Sequence, residues 1–285
     1  MSKKHIDFIV IGAQKAGTTS LFHYLRKHPG IHMPFVKEIG FFSGDTRYAK
    51  GLDWYLDHFL DAIEGQIIGE ASPQYMMNPY VPKRIQKHLP NVKLVAVLRN
   101  PIDRAYSSYR MVSRRGGDSR GAGEAMLAIS SFDPERPIDR LDYFGMGLYG
   151  AVLNHWLGYF PSEQTHIVFS EELSDCPEIV MVELLNFIGA DSSILPDNIH
   201  HHYHRGGKSK SALVKWFLPI LGKIEGVLPR RRRGWTFRLE QWNTLTCGEE
   251  TLPQDIRDQM RMAYQADVRK LEALIARRVP WKDFQ

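Results

Sequence analysis

An apolar run, Phe8 to Ile11, feeds directly into a glycine-bounded loop that opens a helix: Gly12-Ala13-Gln14-Lys15-Ala16-Gly17-Thr18-Thr19-Ser20. A strand, a tight loop and a helix in immediate succession build a phosphate-binding unit of an α/β fold. The N–H groups of Gly17, Thr18 and Thr19 lie at the helix start, where they have no intrahelical partner, and the helix dipole adds positive potential at the same place. An anion is favoured there. The spacing of the two glycines is that of a Walker loop, which next requires Lys before Ser or Thr. Here Thr18-Thr19 fills that place and the lysine comes earlier, as Lys15. Such a loop suits a shorter anionic chain than a nucleoside triphosphate.

Composition sets the frame around that unit. With 285 residues, 43% of them hydrophobic and 24% charged, the chain has enough apolar surface for a substantial core. Disorder and fibrous repeats are excluded on this composition, and the expectation is one domain over 1–285. A net charge of +5 suits a protein that handles anions, whether a nucleotide, an acidic glycan or a lipid surface. Cys176 and Cys247 are far apart, so no disulfide framework is implied and a reducing compartment is expected. The chain reaches its first strand after six residues, without the apolar stretch of a signal peptide or anchor, so a cytoplasmic protein is expected.

Further candidates appear in chain order. The strand Gln66 to Glu70 carries a carboxylate at its C-terminal end, where ligands bind in open α/β sheets. The run Val92 to Leu98 is almost continuously apolar, as in a parallel sheet covered on both faces. It ends in Arg99-Asn100-Pro101, and Pro101 opens a helix over 102–112 that carries Ser107. Arg99 offers a planar donor fork for phosphate oxygens and Ser107 a hydroxyl. Residues 113–140 read as loops, 145–160 as a helix, 165–169 as a buried strand and 177–188 as a helix. A final amphipathic helix spans 254–275. His200 to His204 invites a metal, but no Cys or carboxylate stands nearby at helical ligand spacing, so no metal site is expected.

These motifs resemble the sulfotransferases that use 3′-phosphoadenosine 5′-phosphosulfate (PAPS), specifically the glycan-modifying branch. The resemblance rests on Gly-x-Gln-Lys-x-Gly-Thr-Thr-Ser, on Lys37-Glu38-Ile39-Gly40-Phe41-Phe42, on Gly51-Leu52-Asp53-Trp54-Tyr55 and on Arg99-Asn100-Pro101 followed by Arg104-Ala105-Tyr106-Ser107. It extends over essentially the whole chain. It implies a P-loop-like three-layer fold with a central, mainly parallel sheet, and sulfuryl transfer from PAPS to a hydroxyl or amine without a metal. Lys15, Ala16, Gly17, Thr18, Thr19 and Ser20 then hold the 5′-phosphosulfate, and Arg99 with Ser107 hold the 3′-phosphate. Tyr149 becomes a neighbour of the donor, although its place in an aromatic stripe reads equally as core. Gly206, Gly207 and Lys208 resemble, approximately, the basic loop that closes over the nucleotide. Lys15 is expected to stabilise the leaving group and Glu70 to act as base. Neither cysteine lies just upstream of that basic loop, which points to the bacterial side of the family.

Rivals are a P-loop kinase-like phosphotransferase and a nucleotide-binding module without turnover. The acceptor stays open among glycan, lipid and small metabolite, as does the oligomeric state; nucleic acid is not expected. The stretch 213–233 pairs an apolar segment with Arg230 to Arg233 and reads either as core packing with a solvated basic turn or as a peripheral surface for an anionic membrane or polyanion.

Overall fold

Strands apolar at every position have no wet face and must be covered on both sides. β1 (Phe8–Gly12) is buried along its whole length, and β4 (Lys93–Leu98) is buried at every residue but its first. In a computed structural model, which describes residues 5–201, 203, 207–209, 211, 214, 217, 221, 239, 244–246 and 251–285, they lie side by side. With β2 (Ile31–His32), β3 (Ile67–Ala71) and β5 (Thr165–Phe169) they form a five-stranded sheet in the order β2-β3-β1-β4-β5. Every neighbouring pair is parallel. The α/β class and the central parallel sheet flanked by helices match the expectation from sequence.

After β1 the chain first builds the β3–β2 side and then crosses to β4 and β5. This reversal falls at the carboxyl end of β1, where open parallel sheets bind ligands. The loop 13–17 occupies that position and leads into α1 (Thr18–Lys27), which buries Leu21, Phe22, Tyr24 and Leu25. The turn after β4 leads into α5 (Pro101–Arg114), with Pro101 in its first turn and the Asn100 side chain accepting from the Ile102 N–H at 3.0 Å.

The connections on the β3 side hold α2 (Asp45–Tyr48), α3 (Gly51–Leu56) and α4 (Val81–His88). Three segments differ from the sequence reading. A short helix, α6 (Ala122–Met126), stands inside the 113–140 stretch expected to be loop. The helix expected over 145–160 begins instead as a single 3-10 turn, Gly145–Gly147; Leu148 then takes a ψ of 64°, and α7 runs only Tyr149–Leu157. A further helix, α8 (Ser170–Asp175), starts directly from β5, ahead of α9 (Pro177–Ile188), which ends at Gly189 with a φ of 88°.

Contacts divide the chain into two compact units. One comprises the residues up to His201 together with 252–285. The other, 202–251, holds β6 (Gly207–Ser209) paired antiparallel with β7 (Thr244–Thr246). Gly207 and Lys208 are thus in a strand. Gly206, His202, His204, Cys247, Arg230 to Arg233 and most of 213–233 lie outside the described residues.

The C-terminal helix, Gln254–Ile275, buries Met260, Tyr264, Val268 and Leu271 and packs on α7. The approach is close because α7 presents Gly150. A Cβ there would lie 2.3 Å from the Asp267 carbonyl oxygen and 2.9 Å from the Leu271 nitrogen. Asp267 in turn accepts from the Gly150 and Ala151 N–H groups, each at 2.8 Å, and so caps α7 from the other helix. Gly150→Ala should therefore destabilise the protein by about 1–3 kcal/mol, the usual range for overpacking. Denaturant melts of the two proteins check this, and equal midpoints would show that the helices separate freely.

Candidate active site

Gly17 takes the N-cap position of α1 with a φ of 96°, a conformation that favours glycine, and no side chain caps the helix. Lys15 has a φ of 70°, in a region that non-glycine residues rarely adopt. Ala16, Thr18 and Ser20 are buried, Thr19 is half-buried and Gly17 is exposed. First-turn N–H groups at the end of a buried strand thus open toward the crevice at the switch point.

Lys15 is half-buried, and its side chain reaches across to α5, where Nζ lies 3.8 Å from the Met111 sulfur. Arg104, Ser107, Met111 and Arg114 follow one another at spacings of three, four and three, so they share the face of α5 against which Lys15 rests. The Arg99 guanidinium donates to the Lys15 carbonyl at 3.4 Å. Burial, then the charges of Arg99, Arg114, Arg115 and Arg104, push the Lys15 ammonium down to about 8. Arg104 is fully buried and donates to the Tyr143 carbonyl. Four arginines thus act on the Lys15 ammonium.

Glu70 stands on the other side of β1, in β3, paired in register with Ile9. It is completely buried. The Tyr55 hydroxyl donates to its Oε1 and the Ser72 hydroxyl to its Oε2, both at 2.9 Å, and Tyr75 adds a further hydroxyl. Ser72 Oγ itself accepts from the Gly40 N–H at 3.1 Å. Phe41 stacks on Tyr55 at 5.0 Å and Phe42 meets Tyr55 edge-on at 5.2 Å. In this aromatic surround, burial raises the carboxyl to about 7, while the hydroxyl bonds to Ser72, Tyr55 and Tyr75 work the other way. A carboxyl titrating near neutrality is suited to general base work.

Arg99 thus donates to the loop at the Lys15 carbonyl, and the Lys15 side chain rests on α5, the helix that carries Ser107. Tyr149 lies close to Arg99 but in the core: it is 1% exposed, its ring sits 5.9 Å from Trp281, and burial pushes its hydroxyl up to about 12. Lys15 lies in the loop after β1 and Glu70 in the neighbouring strand β3, each with its own partners. Arg104 entered the sequence reading only as part of a motif and Arg114 and Arg115 not as site residues, although the helical spacing of Arg104 and Arg114 to Ser107 was there to read. Ser72 and Tyr75 as holders of Glu70 follow Pro73-turn geometry, which residue spacing does not reveal. Among the described residues no group of three or more His, Cys, Asp or Glu is placed to hold a metal. His200 instead faces Glu178 at 3.0 Å. No described helix is long and apolar enough to cross a membrane.

Fold and site together define an α/β protein with a P-loop-like anion cradle in which arginines and a lysine gather around the loop. Residues 5–215 match the family model described as "Sulfotransferase domain", and the chain belongs to that family. It is 33% identical over 202 residues to mouse heparan sulfate glucosamine 3-O-sulfotransferase 5, covering 70% of this chain and 57% of that protein. It is 28% identical to the membrane-associated sulfotransferase kil1 of Dictyostelium discoideum, covering 79% of this chain and 65% of that one. The chain thus spans less than two thirds of the length of these relatives. Among solved structures, a sulfotransferase from Alicyclobacillus acidocaldarius superposes with a TM-score of 0.70 at 25% identity, over 97% of this chain and 98% of that one.

The environment of Glu70 has a consequence for stability. Its folded pKa, about 7, lies above the ordinary 4.5, so between those values the folded state holds a proton that the unfolded state has lost. Stability therefore falls as pH rises through this window, by on the order of 3 kcal/mol in total. Glu70→Gln removes the titration. Its unfolding free energy relative to the wild type should improve from pH 5 to pH 8 in urea melts, and a difference independent of pH would contradict this account.

Proposed function

We propose that the chain transfers a sulfuryl group from PAPS to an acceptor hydroxyl or amine. The observation that carries this reading is the pairing of an uncapped, cation-surrounded loop with a near-neutral buried carboxyl one strand away. The loop 15–20 holds the 5′-phosphosulfate, with Arg99 and Ser107 on the 3′-phosphate. The bond from sulfur to the bridging phosphate oxygen breaks as the acceptor oxygen or nitrogen bonds to sulfur. The acceptor proton passes to Glu70, and the negative charge left on the 5′-phosphate is met by Lys15 and the N–H groups of α1. A solved mouse sulfotransferase structure carries the product-like nucleotide PAP, and its similarity to this chain, a TM-score of 0.50 at 13% identity, concerns the fold.

Acceptor class is drawn from the mouse relative, whose name specifies heparan sulfate glucosamine. A ³⁵S-transfer screen from labelled PAPS therefore begins with glucosamine-containing glycans and continues through lipids and small metabolites. The reading takes residues 1–285 as acting together as one sulfotransferase domain. It also places the protein in a reducing, cytoplasmic setting, supported by Cys176, a free and exposed thiol. A second reading, a nucleotide-binding module without turnover, draws on the complete burial of Glu70.

Kinetics separate the two. Lys15→Ala should lower kcat about 10²–10³-fold and Glu70→Gln about 10²–10⁴-fold, with donor affinity little changed for the latter. Since Glu70 must be ionised and Lys15 protonated, kcat/KM should rise with pH through about 7 and fall through about 8. Glu70→Gln with a normal kcat, or a profile lacking the acid limb, would remove Glu70 from the reaction.

Donor recognition is checked separately by calorimetry. Arg99→Ala should weaken PAPS by roughly 1.5–3 kcal/mol, the worth of a charge-assisted contact. It should scarcely alter adenosine 5′-phosphosulfate, which lacks the 3′-phosphate. Equal losses for both nucleotides would make Arg99 structural.

A further inference from the structure

We propose that Asp283, two residues from the end of the sequence, is a positioning residue for the donor site, acting through Asn100 on Arg99. This rests on the reading of Arg99 as the contact to the 3′-phosphate. The strand-to-helix turn that carries Arg99 is held from outside its own segment. Asn100 is 5% exposed and every polar group it has is engaged. Its N–H donates to Glu171 Oε1 at 2.9 Å, its carbonyl accepts from the Arg104 N–H at 2.9 Å, and its side-chain oxygen accepts from the Ile102 N–H at 3.0 Å. The remaining donor, Nδ2, goes to Asp283 Oδ2 at 2.5 Å.

Both carboxylates on Asn100 are themselves fixed by the end of the chain. Glu171 Oε2 accepts from the Trp281 indole N–H at 3.1 Å. Trp281 is 1% exposed and packs edge-on against Phe169 at 5.5 Å. Asp283 accepts two bonds from Arg257, Nε to Oδ1 at 2.8 Å and Nη2 to Oδ2 at 2.5 Å. The third arm of Arg257, Nη1, reaches Asp103 in the first turn of α5 at 2.8 Å. Arg257, in the C-terminal helix, and Asp283 thus grip the turn at Asn100 and again at Asp103.

The geometry gives the grip a direction. Asn100 is the residue next to Arg99, and its backbone and side chain together set where β4 ends and α5 begins. The Arg99 guanidinium, donating to the Lys15 carbonyl, is aimed from that point toward the loop. Release of Asp283 leaves Asn100 Nδ2 unpaired in a buried place and frees Arg257 from its bidentate partner. The turn then relaxes where its arginine must be held to within a fraction of an ångström to make paired bonds to phosphate. A merely structural role for Asp283 would lower stability without telling one nucleotide from another.

The test compares adenosine 3′,5′-bisphosphate with adenosine 5′-phosphate by calorimetry on the full chain. Asp283→Ala should weaken the bisphosphate about tenfold, the worth of one charge-assisted hydrogen bond, and the monophosphate less than about twofold. Asp283→Asn keeps an oxygen opposite Asn100 Nδ2 and should restore much of the bisphosphate affinity, which also guards against a loss caused by misfolding. In the Arg99→Ala background Asp283→Ala should cost nothing more. If Arg99→Ala distinguishes the nucleotides and Asp283→Ala does not, the positioning role is wrong. If Arg99→Ala lowers both equally, the reading of Arg99 falls and the proposal falls with it.

Discussion

Positive charge gathered around the loop that follows β1 is the constraint on which the rest of this molecule turns. Among the described residues, every charged group that shifts Lys15 is an arginine. The first turn of α1 has no acidic residue and no side-chain cap, while its last turn carries Arg26 and Lys27, which already suit the dipole there. Cations held this close repel one another, and a protein bears that repulsion most readily where an anion completes the arrangement. The parallel sheet supplies the rigid support. β1 and β4 are buried strands, and the loop and turn that follow them carry Lys15 and Arg99 respectively.

Across β1 the chemistry is reversed. On the β3 side the carboxyl of Glu70 sits among Phe41, Phe42, Tyr55 and Tyr75, with hydroxyl donors but, among the described residues, no cation in the groups that shift it. Burial there pulls its proton affinity up, while burial and then the like charge of nearby arginines pull that of Lys15 down. Two groups that ordinarily titrate far apart are thereby brought within about one pH unit of each other. One strand separates the two environments, so each is tuned without the other neutralising it.

Much of this was legible in the residues because it depends on local order. Phe8 to Ser20 declares strand, loop and helix through apolar continuity and glycine placement, and Pro101 and Pro177 mark helix starts that the structure keeps. The failures are equally local in cause. α6 hides in a glycine-rich stretch whose composition reads as loop, and α8 starts from the last residue of β5 with no turn between to announce it. Leu148 interrupts a helical aromatic pattern that looks unbroken. Glu70 was readable as a strand-end carboxylate, but its partners come from residues 55, 72 and 75, and only the folded chain places Tyr55 beside it. The contacts of Asn100 with residues 171 and 283 have no sequence signature.

The capping of α7 by Asp267 bears on how the molecule is made. Ribosomes deliver the chain from its N-terminus, so the whole sheet, from β1 to β5, emerges before the C-terminal helix does. Until then Gly150 and Ala151 have no acceptor for their N–H groups, and the apolar face of α7 has no neighbour at the point where Gly150 permits close approach. In a nascent chain halted short of residue 267, the face of α7 that meets this helix stays uncovered. Premature termination before this helix therefore yields a chain with an exposed apolar face on α7, a target for chaperones and proteases.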